Sequence, residues 1–326
     1  MRTAPAGLLW LVASSVLSVA ILDEAAAQRT FRSGVDMVML GATVFDRKGN
    51  HLTDLGAGDF EVYEDGQKQA VQVFVPCDAQ AGGAQAGGAR PASPVDLHLG
   101  ALLDISGSMD RDLQFARQAA IRFLGSRPEA RDFTLVQVES RVRVSQFSQA
   151  EFGRMVEQIR IGSAEGETAL WDAVGVYLDM AARQVGRKVL LLYTDGGDNA
   201  SSLTFRDLQD LLKASDVTVE AIGLMQHQRP DSVAELRQRL QALAELTGGQ
   251  AFFPVSAADL DRAYVQVAAE IDAQYTLGYQ SSRPQADGTW RKVEIKVTRP
   301  GLTGIRVRAR RGYFAPMRPA GRLPGA

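Results

Sequence analysis

LGALLDISGSMD, residues 99–110, is apolar from Ala101 to Leu103 and changes character at one step, Asp104. An apolar run of strand length, bounded by turn residues, is the pattern of a strand buried on both faces. Beyond Asp104, Ser106 and Ser108 follow at steps of two. Alternate residues of an extended chain point the same way, so one carboxylate and two hydroxyls converge beyond the strand end. Gly107 permits a tight turn, and Asp110 or Asp112 can cap the helix that follows. A second segment, KVLLLYTDGGDN at 188–199, has the same grammar: an apolar run ends at Thr194-Asp195-Gly196-Gly197, with glycines that allow close approach to Asp195.

Working outward, strand-like runs at 97–103, 133–138, 142–147, 189–193, 217–222 and 251–253 alternate with amphipathic helical patterns at 112–124, 169–185, 205–214, 232–246 and 257–273. Such alternation predicts a mostly parallel sheet with helices on both faces. The connection at 139–141 is too short for a crossover helix, so one edge strand is antiparallel. The expected fold class is α/β, an open doubly wound sheet, in which ligands bind at the carboxyl ends of strands where the winding reverses. Asp104 and Asp195 both occupy that edge. A third fragment, GSAEGETALWDAV at 162–174, places Thr168 in a loop just before a helix.

Together the fragments offer two carboxylates and three hydroxyls, an all-oxygen set that suits magnesium, manganese or calcium and not zinc or copper. Taken singly, each has an ordinary reading as a helix cap or a turn. Their shared position at one sheet edge is what distinguishes them.

The flanks are β-rich. Residues 35–75 read as strands with turns at 47–50 and at Glu64-Asp65-Gly66, the latter a hairpin signal. Residues from 274 onward return to strands, with turns at Asp287-Gly288 and Pro300-Gly301. Each zone has about forty residues, too few for a secure core of its own. The expectation is one β-sandwich formed by both ends, with the α/β domain inserted. The organisation expected is a signal peptide at 1–27, an N-terminal β segment at 28–76, a Gly/Ala-rich linker at 77–94 with AQAGG in tandem, the α/β domain at 95–273, a C-terminal β segment at 274–316 packing with 28–76, and a disordered tail at 317–326. The leader combines Arg2, an apolar run at 8–22 and Ala25-Ala26-Ala27 before a cut at Gln28. Its apolar run is shorter than the roughly 20 residues of a spanning helix, and no later segment reaches that length. The expected location is therefore outside the cytoplasm, periplasmic or secreted.

Counting excludes other chemistry. The chain's 326 residues carry 36 Lys and Arg against 38 Asp and Glu, with no basic cluster to attract nucleic acid. Three His and one Cys leave no zinc cluster or disulfide framework. The lone cysteine, Cys77, is expected to be buried.

The set Asp104-x-Ser106-x-Ser108, Thr168 and Asp195 resembles the metal-ion-dependent adhesion site of von Willebrand factor type A domains, matching at all five positions. The flanks GDFEVYEDGQKQAVQVF (58–74), AQYTLGYQ (273–280), DGTWRKVEIKV (287–297) and VRARRGYFAP (307–316) resemble exported bacterial VWFA-related proteins, over about residues 35–316. The resemblance implies that Ser106, Ser108 and Thr168 hold a divalent cation directly, Mg2+ first and Mn2+ or Ca2+ as alternatives. Asp104 and Asp195 would hold it directly or through water. It also implies a protein partner whose Asp or Glu completes the shell, selected by loops at 109–111, 164–167, 196–202 and 225–230. Asp198 and Asn199 could touch the partner or order water, with solvated loop residues as the default expectation for both.

A metal-dependent hydrolase or phosphotransferase is the alternative. Against it, Ser106 stands where a haloacid-dehalogenase-type phosphatase has its second Asp, GxSxG and P-loop motifs are absent, and none of His51, His98 and His227 is visibly placed as a base. The expected protein is not an enzyme.

Overall fold

The computed structural model describes residues 37–77, 96–283 and 285–317. The leader, nearly all of the linker and the tail lie outside the described residues. In chain order, the first strands are β1 (Met37–Phe45), β2 (Phe60–Glu64), β3 (Gln67–Gln69) and β4 (Val71–Val75). The α/β region follows with β5 (Leu97–Asp104), α1 (Leu113–Gly125), β6 (Asp132–Val138), β7 (Val142–Ser148), α2 (Phe152–Arg160), α3 (Leu170–Ala181), β8 (Arg187–Thr194), α4 (Phe205–Ala214), β9 (Val217–Gly223), α5 (Pro230–Thr247), β10 (Ala251–Phe252) and α6 (Ala257–Asp272). The chain closes with β11 (Gln274–Gln280), β12 (Trp290–Val297), β13 (Arg306–Ala309) and β14 (Gly312–Phe314).

The six-stranded sheet has the order β10-β9-β8-β5-β6-β7. All neighbours are parallel except β7, which returns antiparallel beside β6, as the short 139–141 connection requires. Every residue of β5 and of β8 is buried. Side-chain alternation splits the core into two layers. Leu99, Ala101 and Leu103 pack under α1, α2 and α6, whereas Leu102, Leu190 and Leu192 pack under α3, α4 and α5. Gly100 sits in mid-strand because α3 lies so close that a Cβ there would be 2.3 Å from the Tyr177 ring. From β5 the chain winds first to β6 on one side and later to β8 on the other. The switch point therefore falls at the carboxyl ends of β5 and β8.

Two elements differ from the sequence expectation. The sequence expectation lacks helix α2, although Phe152, Met155, Val156 and Ile159 fall at helical spacing, because the element is only nine residues long and Met155 and Ile159 alone are fully buried. Helix α3 ends at Ala181 and not at 185, because Val185 is drawn out of helical geometry: its carbonyl lies 3.1 Å from His98 Nε2. The His98 Nδ1 meets Asp132 at 2.9 Å, so both ring nitrogens are held structurally.

The two remaining sheets, β13-β1-β11-β4 and β14-β12-β2-β3, each mix strands from both chain ends. They face each other across a core of Leu40, Val44, Phe60, Val62, Tyr275, Leu277, Tyr279, Val293 and Ile295. This is the expected sandwich. Its β2–β3 hairpin turns on Asp65 and Gly66, both at positive φ (47° and 83°), the geometry that makes Asp-Gly a preferred two-residue turn. Cys77 is buried, with its thiol 3.3 Å from the Thr53 carbonyl.

Inside the sandwich, Glu64 accepts from Tyr279 (2.8 Å), Tyr313 (2.7 Å), Ser281 (2.6 Å) and Arg291 (3.2 Å). One carboxylate on β2 thus ties down β11, β12, β14 and the segment after β11. The sandwich is fastened to the α/β region by Arg187, which donates to Gln274 Oε1 at the start of β11 at 3.1 Å, and by Arg308, which bonds Gln250 at 2.6 Å and pairs with Glu270. These contacts lie away from the carboxyl edge of the sheet, leaving it to the loops described next.

Candidate metal centre

Asp104 ends β5 fully buried, and its two oxygens have separate partners. Oδ1 accepts from the Ser106 backbone N–H at 3.0 Å and the Ser106 hydroxyl at 2.6 Å. Oδ2 accepts from the Thr194 hydroxyl at 2.6 Å. Since β5 and β8 are parallel neighbours in register Leu103 to Tyr193, Thr194 faces Asp104 across the pair, and Asp195 follows it directly. Ser108 Oγ lies 3.2 Å from Ser106 Oγ, and Ser108 is exposed where Ser106 is buried. Residues Gly107–Met109 form a single helical turn.

Asp195 is buried, and its oxygens accept from the Gly197 N–H (2.9 Å) and the Gln228 side-chain amide (2.6 Å). Its carboxylate is close enough to act on Asp104. Burial first, and the Asp195 charge second, push Asp104 up to about 7 from its ordinary 3.8, outweighing the hydrogen bonds from Ser106 and Thr194 that lower it.

The Thr168 loop is sewn to both other fragments. The Gly107 N–H donates to the Gly166 carbonyl at 3.1 Å, and the Glu165 N–H donates to the Ile105 carbonyl at 3.0 Å. The Thr168 N–H donates to Asn199 Oδ1 at 2.7 Å, while the Thr168 carbonyl accepts from the N–H groups of Asn199 and Ala200, each at 3.0 Å. Ala169, not Thr168, occupies the N-cap position of α3. Among the described residues no group bonds the Thr168 hydroxyl. The capping role that a lone Thr in this position suggests is thus not its role here.

Several residues do more than expected. Asn199 is exposed and Asp198 half-buried in their loop, and both also clamp the Thr168 loop: Asp198 accepts from the Trp171 N–H at 3.1 Å and the Ser201 hydroxyl at 2.5 Å. Asp112 stands at the N-cap of α1 without capping it, and its carboxylate instead meets His227 Nδ1 at 2.8 Å. The loop after β9, which carries His227, thus packs against the candidate site. It reaches back to α1 through His227 and to Asp195 through Gln228. Thr194, Asn199 and Gln228 carry no local sequence signal for these contacts, although Thr194 could have been found from its place beside Asp195 on the strand next to β5.

The donor set fits a hard divalent ion. It holds only oxygens, it has two carboxylates whose mutual repulsion a cation relieves, and it includes an exposed hydroxyl and an unbonded one. Among the described residues no group of three or more His, Cys, Asp or Glu side chains is arranged to hold a metal, so an ion held here depends on the hydroxyls.

Residues 98–264 match the family model described as the von Willebrand factor type A domain. No curated protein matches the chain. Among solved structures, it is similar to the PilB minor pilin from Streptococcus sanguinis (12% identity, TM-score 0.44, covering 55% of this chain and 62% of that one). It is similar to the vWF domain of the type V pili tip protein Mfa5 from Porphyromonas gingivalis (12% identity, TM-score 0.45, covering 55% and 97%). A third is a von Willebrand factor type A protein from Catenulispora acidiphila (16% identity, TM-score 0.42, covering 77% and 73%). The chain thus spans about three fifths of the pilin's length.

Proposed function

The chain belongs to the von Willebrand factor type A family, and from that premise we propose that it is an exported protein-binding module that recognises an acidic residue of its partner through a divalent cation. The observation that carries this reading is the meeting of Asp104, Ser106 and Ser108 with the Asp195 and Thr168 loops at the switch point of the sheet.

In this reading Ser106, Ser108 and Thr168 offer hydroxyl oxygens to the ion, and Asp104 and Asp195 supply the negative charge that retains it. Magnesium suits this set best, with manganese or calcium as substitutes. The bound ion supplies an electrophilic position for an outside oxygen. Two carboxylates and three neutral donors leave that position attractive to a partner's Asp or Glu. Loops at 109–111, 164–167, 196–202 and 225–230 would form the rim that selects the partner. Asp198 and Asn199 shape this rim from beneath by fixing the Thr168 loop. Export is consistent with the leader-like sequence at 1–27; among the described residues no helix is long and apolar enough to cross a membrane.

The Asp112–His227 pair at this edge is what a hydrolase would use to prepare a base. A nucleophile bonded to that base would complete such a site, yet the Ser106 hydroxyl donates to Asp104 and no described hydroxyl bonds His227. The binding reading is therefore the one supported.

Adding Mg2+ to chelator-treated protein should raise its melting temperature, since a ligand bound only by the native state at a hundredfold over its dissociation constant contributes about 2.7 kcal/mol. Asp104→Ala should abolish the shift. A shift that survives in Asp104→Ala would remove the site assignment, and turnover of phosphate or ester substrates lost in that variant would replace binding with catalysis.

A further inference from the structure

The loop that joins β9 to α5, residues 224–229, has more fixed points than a solvated connection needs. At its base the Leu224 N–H donates to the Thr194 carbonyl at 2.8 Å, and Leu224 and Met225 are buried in opposite core layers. Its crest then makes three side-chain contacts to three different segments. Gln226 donates to the Val255 carbonyl, His227 meets Asp112 at 2.8 Å, and Gln228 donates to Asp195 Oδ2 at 2.6 Å. The last two fasten the loop to both halves of the candidate metal centre: Asp112 stands at the N-terminus of the helix that follows Ser108, and Asp195 comes directly after β8.

We infer that Gln228 is a positioning residue for the metal centre and that the 224–229 loop is a strap that holds Asp195 in place relative to the Asp104-Ser106-Ser108 segment. This inference rests on the metal-site reading above. The chemistry of the side chain supports it. An amide N–H fixes a carboxylate oxygen without cancelling its charge, whereas a Lys or Arg in the same place would neutralise Asp195 and compete with a cation. Without Gln228 the Asp195 carboxylate would keep only the Gly197 N–H on Oδ1, and its free Oδ2 would turn away from Asp104, because the two carboxylates repel. Partners of this kind, which hold a ligand and do not touch the ion, typically account for about 10–100-fold in metal affinity. The His227–Asp112 contact serves the same end by keeping the loop crest over the site, so the two contacts act as one unit.

The test uses the full chain and Mg2+ alone, titrated by calorimetry after chelation, with melting temperatures recorded on the metal-free samples. Gln228→Met keeps the length of the side chain and removes its donor, and should weaken Mg2+ binding by about 10–100-fold. His227→Leu should weaken it in the same direction. The double variant should bind no more than about twofold more weakly than Gln228→Met, because cutting either end frees the same loop. Wild-type Mg2+ affinity in Gln228→Met, whatever its metal-free melting temperature, would overturn the inference and leave the site assignment standing. A double variant that shows the full product of the single effects would overturn the strap as a unit. Absence of Mg2+ binding by the unaltered chain would overturn the site and the inference together.

Discussion

Asp104 lies wholly out of water with the Asp195 carboxylate nearby, so in metal-free protein its ionisation works against the fold. Its displacement from 3.8 to about 7 is roughly three pH units, and at about 1.36 kcal/mol per unit this amounts to about 4 kcal/mol once the group is ionised. The sign follows from proton binding. Between about pH 4 and 7 the folded chain holds a proton on Asp104 that the unfolded chain has released, so this group's contribution to stability falls as pH rises through that window and is fully lost above it. Asp104→Asn removes the charge and keeps an oxygen for the Ser106 donors. Its amide nitrogen would, however, face the Thr194 hydroxyl, which now donates to Asp104, so that hydrogen must turn away and the gain stays below the ceiling of about 4 kcal/mol. Urea unfolding at pH 5 and pH 8 in the presence of a chelator provides the measurement. The wild type should lose stability between the two values by a few kcal/mol more than Asp104→Asn, and the variant should be the more stable protein at pH 8 while showing no response to Mg2+. Equal pH dependence in the two proteins, or a less stable variant at pH 8, would refute the claim that Asp104 is held ionised at a cost.

In the sandwich, Glu64→Ala leaves the Arg291 guanidinium buried without its carboxylate and should cost about 3–5 kcal/mol, read by urea unfolding; a loss under about 1 kcal/mol would mean that the network is not what joins the strands. Deleting residues 274–326 removes β11, which lies between β1 and β4, and β12, which lies beside β2. The 37–75 segment should then lose its protection from hydrogen exchange, and a segment that stayed folded alone would refute the shared sandwich.

What could be read from the sequence was local. Strands β5 and β8 announce themselves as apolar runs of strand length, and the steps of two from Asp104 to Ser106 and Ser108 are a property of extended backbone, so their convergence follows from spacing alone. Helix α2 carries a legible local stripe of Phe152, Met155, Val156 and Ile159 over only nine residues, whereas the end of α3 was set by His98, 87 positions away from Val185. The support of the site is of this second kind. Thr194 bonds Asp104 across 90 positions, His227 meets Asp112 across 115, and Gln228 and Asn199 act across 33 and 31. No periodicity encodes such pairs, because they are products of the sheet order, and only the fold brings those loops to one edge.

That edge also differs electrostatically from the sandwich and its junction with the α/β region. There, buried acids have cations of the chain against them: Arg291 bonds Glu64 and Arg308 pairs with Glu270. Asp104 and Asp195 are as deeply buried as any of these, yet among the described residues neither has an ion pair, and their donors are the neutral hydroxyls of Ser106 and Thr194, backbone N–H groups and the Gln228 amide. Burying two neighbouring carboxylates costs free energy unless a positive charge offsets them. A Lys or Arg at position 228 or 194 would offset them permanently and close the site. Neutral donors hold the same geometry and leave the charge to be met from outside, and this is the arrangement that a reversibly bound divalent cation requires.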